Sequence, residues 1–545
     1  MKCWLSLLSV APLAFFGATL TQAQNTNLPI QHVIVVVQEN RTPDNLFSAD
    51  ASKLPGAHLV RSGNCHGKTI TLTAWPLDAC FDPSHEHSKG WLPMYDGGKM
   101  DGACDIPPNV NPGCGIPNCS DTSYQYCPQY TYVANTKFDG VHGILDPYFQ
   151  LAREYGFANW MFQTNQGPSF PAHQFLFTGT SEPIAPKTKF YKWFAAENAN
   201  FRKSVTDNHN GCIADFGTVV KEVNPSTGKE SARYTPSDPR GANAGFPCYE
   251  HNTMGDLLDA HVISWRYYTP GQGSLWTAPD AIDHICKPSG FGPSGTCTGA
   301  DFSNGHVVTN ASQILTDLGV NGTGIQNCQL QQVSWVIPDG NWSDHAGTVG
   351  HDGGPSWVAA IVNAVGGYDN SGDKLPVQCN YWGNTAIIVT WDDWGGFFDD
   401  VNPISTMGAG YRNGGGNGQF YVYGFRVPLL VISAFAKSGY ISGPKNNPTC
   451  PNPYCHDFGS ILNFIEYAFG TGGDSIGTIG PSVWPYADFF AQDTSVPPNN
   501  YSLSDFFNFT QARPFTFVQG AKYGDNCFLN PKSCFAKFPE PPDSD

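Results

Sequence analysis

Charge is scarce in this chain, and positive charge most of all. Of 545 residues only 14% are charged, with 29 Lys and Arg against 46 Asp and Glu, for a net charge of −17. A nucleic-acid binder needs a basic footprint, so this balance argues against that class. It leaves phosphate substrates open, because a bound cation reverses the field inside a pocket. Long apolar runs are also missing: after the first 23 residues none reaches the roughly 18 to 20 apolar residues of a membrane helix, and no transmembrane segment is expected. Cysteine pairs with two intervening residues, the usual mark of a zinc cluster, are absent. So are internal repeats and low-complexity tracts.

The first 23 residues carry Lys2, an apolar stretch from Trp4 to Ala18, and Thr21-Gln22-Ala23 with small residues where a signal peptidase reads. They are expected to be a secretory signal cut after Ala23, leaving a secreted or periplasmic chain of net charge −18 once Lys2 is gone. Cys3 leaves with the signal, so 16 of the 17 cysteines remain. An even number in an exported chain points to disulfides. Cys450 with Cys455 and Cys527 with Cys534 are close enough for local bridges. Residues 24–545 are expected to form a single domain with Gly-, Pro-, Asn- and Cys-rich insertions near 62–129 and 187–247, since candidate strands resume after each.

Those strands are Val33–Val37, Val262–Tyr267, Val333–Ile337, Thr385–Thr390 and Pro428–Ser433, alternating with helical patterns. Alternation of this kind predicts an α/β fold with a central sheet flanked by helices. Val358, Ile361, Val362 and Val365 follow helical spacing, as do Ile461, Phe464, Ile465 and Ala468; core packing explains both sets.

Two of the runs end in polar groups. Val33–Val37 leads into Gln38-Glu39-Asn40, and Ala386–Thr390 into Trp391-Asp392-Asp393-Trp394-Gly395-Gly396. Such β-branched runs suit strands buried on both faces, and ligands bind beyond the carboxyl ends of strands in parallel sheets. Three carboxylates and an amide meeting on one rim would repel unless a cation sat among them. Oxygen donors favour Ca²⁺ or Mg²⁺, and nearby histidine would shift the balance toward Zn²⁺. Neighbours in a regular strand point to opposite faces, so the chain must turn at both places if each pair is to reach one ion. Otherwise one member of each pair is a cap or lies behind the ligands.

A second element is Gln166-Gly167-Pro168-Ser169-Phe170-Pro171, where Pro171 suits a first helical turn and sets Ser169 at a helix N-terminus. A hydroxyl there beside a metal could attack phosphorus, or it could merely cap the helix. Histidines form a third element: His85 and His87 in Asp82-Pro83-Ser84-His85-Glu86-His87, and His345 after Asp344. Imidazole can serve a leaving oxygen near neutral pH, although a lone histidine is commonly structural.

Taken in order, Gln38-Glu39-Asn40-Arg41-Thr42 with Asn45-Leu46-Phe47, Asp82-Pro83-Ser84-His85, Gly98-Lys99-Met100-Asp101-Gly102, Gly167-Pro168-Ser169, Asp344-His345, Trp391–Asp399 and Gly424-Phe425-Arg426-Val427-Pro428 resemble one family. It is the secreted phosphoesterase family of bacterial phospholipases C and related acid phosphatases, within the alkaline-phosphatase-like superfamily. The resemblance implies a mostly parallel central sheet with long disulfide-stapled loop insertions. It also implies one divalent ion held by Glu39, Asn40, Asp392 and Asp393, Ser169 as nucleophile, and His85 and His345 at the phosphoryl or leaving group. The implied reaction runs through a phosphoseryl intermediate. Many relatives have Asn-Arg where this chain has Ala172-His173, and histidine where it has Asp400; His284 is the nearest candidate for a further family histidine in the middle of the chain. The sequon Asn40-Arg41-Thr42 is read as a metal ligand rather than a glycan site, since a ligand at the bottom of a pocket cannot carry a glycan.

The favoured function is a phosphoesterase of phospholipase C type, whose partner is a phosphate ester such as a phospholipid at a membrane surface. Trp394, Phe397 and Phe398 are either lipid-facing or packing residues. The alternatives are an acid phosphatase acting on monoesters and, from another class, a non-catalytic secreted carbohydrate-binding protein with a structural ion.

Overall fold

A computed structural model describes residues 28–110, 127–182, 193–201, 209–224, 229–231, 245–403, 423–445, 450, 453–480, 486–488, 491, 493–494 and 500–535. The expected signal segment lies outside the described residues. The centre is an eight-stranded sheet of β1 (His32–Gln38), β2 (Gly156–Ala158), β3 (Trp265–Tyr268), β4 (Val307–Val308), β5 (Val333–Val336), β6 (Thr385–Trp391), β7 (Leu429–Ser433) and β8 (Tyr440–Ser442). Their order across the sheet is β4-β3-β5-β1-β6-β7-β2-β8. β7 runs antiparallel to both neighbours, and every other adjacent pair is parallel. The sheet is therefore mixed, with one reversed strand.

Val33–Val37 and all of β6 and β7 are buried, which is why they read as unbroken apolar runs rather than alternating ones. At roughly 1.5–3 kcal/mol per fully buried Val, Leu or Ile, these strands supply much of the drive to fold. Five helices matter for the site: α1 (Pro43–Phe47), α2 (Asp146–Glu154), α3 (Ser169–Thr178), α4 (Gly354–Val365) and α5 (Phe458–Ala468). The two expected apolar stripes fall in α4 and α5, α4 packing on α2 and β6 and α5 on α3. The strand expected to begin at Val262 begins instead at Trp265. Val262 is 91% exposed with φ +58°, in a turn closed by its amide donating to Asp259 O at 3.1 Å.

Disulfides pair Cys65 with Cys104, Cys212 with Cys248, Cys286 with Cys297 and Cys328 with Cys379, besides the two local bridges foreseen. Cys80 and Cys127 are bridged as well. In the chain-entropy account a loop the size of the 39-residue Cys65–Cys104 separation is worth about 4 kcal/mol. Among the described residues no helix is long and apolar enough to cross a membrane.

Candidate active site

β1 and β6 lie side by side in register, Gln38 opposite Trp391, so Glu39 and Asp392 emerge together at their carboxyl ends. There both chains turn. Asn40 takes φ +60°, and its amide donates to Asp392 Oδ1 at 3.0 Å; the Asp393 amide donates to the same oxygen at 2.7 Å. Gly395, at φ +63°, donates its amide to Asp393 Oδ1 at 2.6 Å, and a Cβ there would lie 2.4 Å from Asn40 O. Each aspartate thus gives Oδ1 to the turn and keeps Oδ2 for the interior. Asp392 Oδ2 and Asn40 Oδ1 are buried with no hydrogen-bond partner. All four side chains are fully buried, and the Glu39 carboxyl is pushed well above its usual range by burial and by the Asp392 carboxylate.

Ser169 is the first residue of α3, with Pro168 as the extended residue before it. It is therefore not the capping residue. Its hydroxyl instead donates toward Glu39 Oε2 and Asp393 Oδ2, each at 3.4 Å. The loop before it is tied down by side-chain amides: Gln163 Nε2 donates to Asn165 O and Gly167 O at 3.0 and 3.1 Å, and Asn165 Nδ2 to Gly167 O at 2.7 Å. Gln163 Oε1 accepts from the Trp394 amide at 3.1 Å, joining this loop to the turn after β6. Behind it, Asn198 Oδ1 accepts from the Phe170 amide at 2.9 Å.

His85 and His345 arrive from different loops with ring centroids 5.9 Å apart. Each lies with Nδ1 against a backbone carbonyl, Pro83 O at 3.0 Å and Ala346 O at 2.7 Å, which favours the proton on Nδ1 and leaves Nε2 for chemistry. His85 Nε2 sits 3.2 Å from Asn40 Nδ2. His345 is near enough to Glu39 that a positive charge on its ring would oppose the rise in that carboxyl's pKa. A further histidine, whose role was left open on the sequence, is here too: His173 Nε2 is 3.1 Å from Glu39 Oε1. Its position one helical turn after Ser169 was the available signal. The donor chemistry fits a divalent cation. Carboxylate oxygens, an amide oxygen and buried polar atoms without partners occupy one buried site, an arrangement costly without a counter-charge.

Residues 142–472, more than half of the chain, match the Phosphoesterase family. The chain belongs to that family. The matched stretch holds Ser169, His173, His345, Asp392 and Asp393, while Glu39, Asn40 and His85 precede it. The chain is 27% identical over 487 residues to the non-hemolytic phospholipase C of Pseudomonas aeruginosa, covering 81% of this chain and 54% of that protein. It is 29% identical over 270 residues to the non-hemolytic phospholipase C of Burkholderia pseudomallei, covering 44% of this chain and 34% of that one. With phospholipase C A of Mycobacterium tuberculosis it shares 22% identity over 430 residues, 75% of this chain and 68% of the relative. The matched region spans about half the length of the Pseudomonas relative and about a third of the Burkholderia one.

In this phosphoesterase-family chain several motif residues serve as supports. Asp344 Oδ2 accepts from Tyr148 Oη and Trp391 Nε1, both at 2.9 Å, and Arg41 donates to Asp344 O, bracing the His345 loop against β1 and β6. Asp400 does not occupy a phosphate-facing position: its carboxylate pairs with Arg426 at 2.9 Å and His58 at 3.0 Å. His87 holds Gln166 O at 2.8 Å and stacks on Trp91. His284 is drawn into ion pairs with Glu250 and Asp256 instead; burial would lower its pKa, but those carboxylates raise it to about 10. Trp394, Phe397 and Phe398 are buried packing residues, the packing side of the two alternatives the sequence left open.

Proposed function

We propose that this protein is a secreted, metal-dependent hydrolase of phosphate esters that works through a phosphoseryl intermediate on Ser169, with phospholipase C chemistry favoured. The observation that carries the reading is the approach of the Ser169 hydroxyl to Glu39 and Asp393 within the first turn of α3. A non-catalytic ion site gives no reason for a buried hydroxyl to end there. The family and the phospholipase C names of the relatives support the phosphate-ester substrate; the disulfides suit an oxidising compartment.

Glu39, Asn40, Asp392 and Asp393 would hold one divalent ion, which when bound favours the ionised serine and offsets charge on the phosphoryl oxygens. The Ser169 proton leaves toward the carboxylates it faces. Ser169 Oγ then bonds to phosphorus as the bond to the alcohol oxygen breaks, and the α3 dipole favours the negative charge gathering at its N-terminus. A protonated imidazole of the His85 and His345 pair donates from Nε2 to the departing oxygen. The neutral ring then takes a proton from water, whose oxygen bonds to phosphorus as the Oγ bond breaks, and Ser169 is restored.

The test compares the purified protein with Ser169→Ala on a phosphomonoester, a phosphodiester and a phosphatidylcholine emulsion, with and without chelator. Turnover of diester and lipid that chelator and Ser169→Ala both abolish is the expected result. Faster monoester turnover would move the reading to a phosphatase. No turnover on any substrate, or full turnover in the variant, would overturn it.

A further inference from the structure

Ser169 and His173 stand one turn apart on α3, and Glu39 lies between them with Oε2 toward the serine and Oε1 toward the histidine. Two carboxylate oxygens gather at His173 Nε2: Glu39 Oε1 at 3.1 Å and Asp392 Oδ2 at 3.8 Å. All three side chains are fully buried, and their ligating atoms lie within 4.8 Å of one another. Donors bound to one ion at 2.0–2.2 Å sit roughly 3.0 to 3.5 Å apart at octahedral or tetrahedral angles, close to this spacing. Within this group Asp392 Oδ2 is buried without a hydrogen-bond partner. His173 Nδ1 makes no hydrogen bond, so it can carry the ring proton when a cation displaces the Nε2 contact with Glu39. With the proton on Nδ1, Nε2 presents its lone pair toward Glu39 and Asp392.

We propose that His173 Nε2 is a direct ligand of the cation at this site. With Glu39 and Asp392 it makes a mixed nitrogen and oxygen set that selects a transition ion of the Zn²⁺ class over Ca²⁺ or Mg²⁺. The proposal rests on the metal-holding reading above. An all-oxygen set suits hard ions, whereas imidazole suits Zn, Cu, Fe and Ni. In the competing arrangement Nε2–H only donates to Glu39 Oε1, and the hard-ion preference stays.

The test uses metal-free wild type, His173→Gln, and a double variant with His85→Gln and His345→Gln. Each is loaded with Cu²⁺ for pulsed EPR and titrated separately with Zn²⁺ and Ca²⁺. Imidazole nitrogen coupling is expected in the wild type and the double variant and absent in His173→Gln. Zn²⁺ affinity should fall by about 100-fold or more in His173→Gln, at or beyond the 10–100-fold cost of losing a residue that only orients a ligand, while Ca²⁺ affinity moves far less. Coupling that persists in His173→Gln, or equal losses for both ions, overturns the proposal. If His173→Gln fails to fold, the double variant decides alone: its copper signal without nitrogen coupling overturns the proposal, and with it supports it. These readouts do not depend on turnover, so an inactive protein that binds copper through His173 counts against the phosphoesterase reading only. A wild type that binds no cation removes the metal-holding reading itself.

Discussion

Replacing Gly167 with alanine should cripple catalysis while leaving the fold standing. A Cβ at this position would lie 2.0 Å from Ala196 O and 2.9 Å from Ala196 C, and ordinary contact begins at 3.4 Å. The two segments must therefore separate by about 1.4 Å, and neither can yield by rotating a side chain because the contact is with backbone. Gly167 is two residues before Ser169 and its carbonyl is held by Gln163 and Asn165, so the displacement passes to the Ser169 hydroxyl. Misplacing a reacting group by about 1 Å costs on the order of 100-fold in rate, whereas overpacking costs roughly 1–3 kcal/mol of stability. The assay is kcat on a phosphodiester beside a thermal melt, with Gly271→Ala as control, since a Cβ there meets nothing within 4 Å. The expected result is a loss of about 100-fold in kcat, a melt lowered by a few degrees, and a control near wild type. Activity within twofold of wild type in Gly167→Ala would refute the claim that this contact sets the position of Ser169.

Three further outcomes follow from buried charge. Burial pushes the Asp344 carboxyl up to about 6 against the pull of Arg41, so the folded protein holds this proton more tightly than the unfolded chain. Its contribution of about 3 kcal/mol is complete below pH ~4 and lost as pH rises through 6, and Asp344→Asn should flatten that part of the stability profile in denaturant melts from pH 4 to 7; an unchanged slope contradicts this. Arg426→Met strands Asp44 and Asp399, both fully buried, and should cost about 3–5 kcal/mol in a urea melt; a loss under about 1 kcal/mol would mean those carboxylates are neutral or hydrated. Adding the preferred divalent ion at about 100 times its dissociation constant should stabilise the metal-free protein by about 2.7 kcal/mol, read as a rise in melting temperature that Asp392→Asn diminishes; an equal rise in that variant would place the ion elsewhere.

Much of the frame is legible because buried parallel strands leave an unbroken β-branched signature, as Val33–Val37 and Thr385–Thr390 do. β2, β4 and β8 span three, two and three residues, too short for any periodicity to register. The acidic strand ends were legible as neighbours of a sheet rim, but the turns that let them converge were not. The fold of Asn40 depends on Asp392 and Gly395, brought to it across the sheet from 352 and more positions away. Local propensity says little about a left-handed Asn held by such contacts. Ser169 at a helix N-terminus could be anticipated from Pro171; that its hydroxyl passes over the cap to meet two carboxylates is tertiary. His173 stood in the sequence only as a departure from a family pattern, although its spacing from Ser169 places both on one helix face. For Trp394, Phe397 and Phe398, hydrophobicity alone does not say whether a ring meets lipid or its own core, and the packing around Phe425 and Phe81 answers for the core.

The most direct measurement is the mass of the protein quenched in acid during turnover of a phosphodiester, followed by peptide mapping. Wild type is expected to carry one phosphoryl group on the peptide containing Ser169, appearing and decaying at rates compatible with kcat, while Ser169→Ala carries none. Turnover without that modification under conditions where hydrolysis of the intermediate is slowed, or a phosphoryl group on any other residue, would contradict the account.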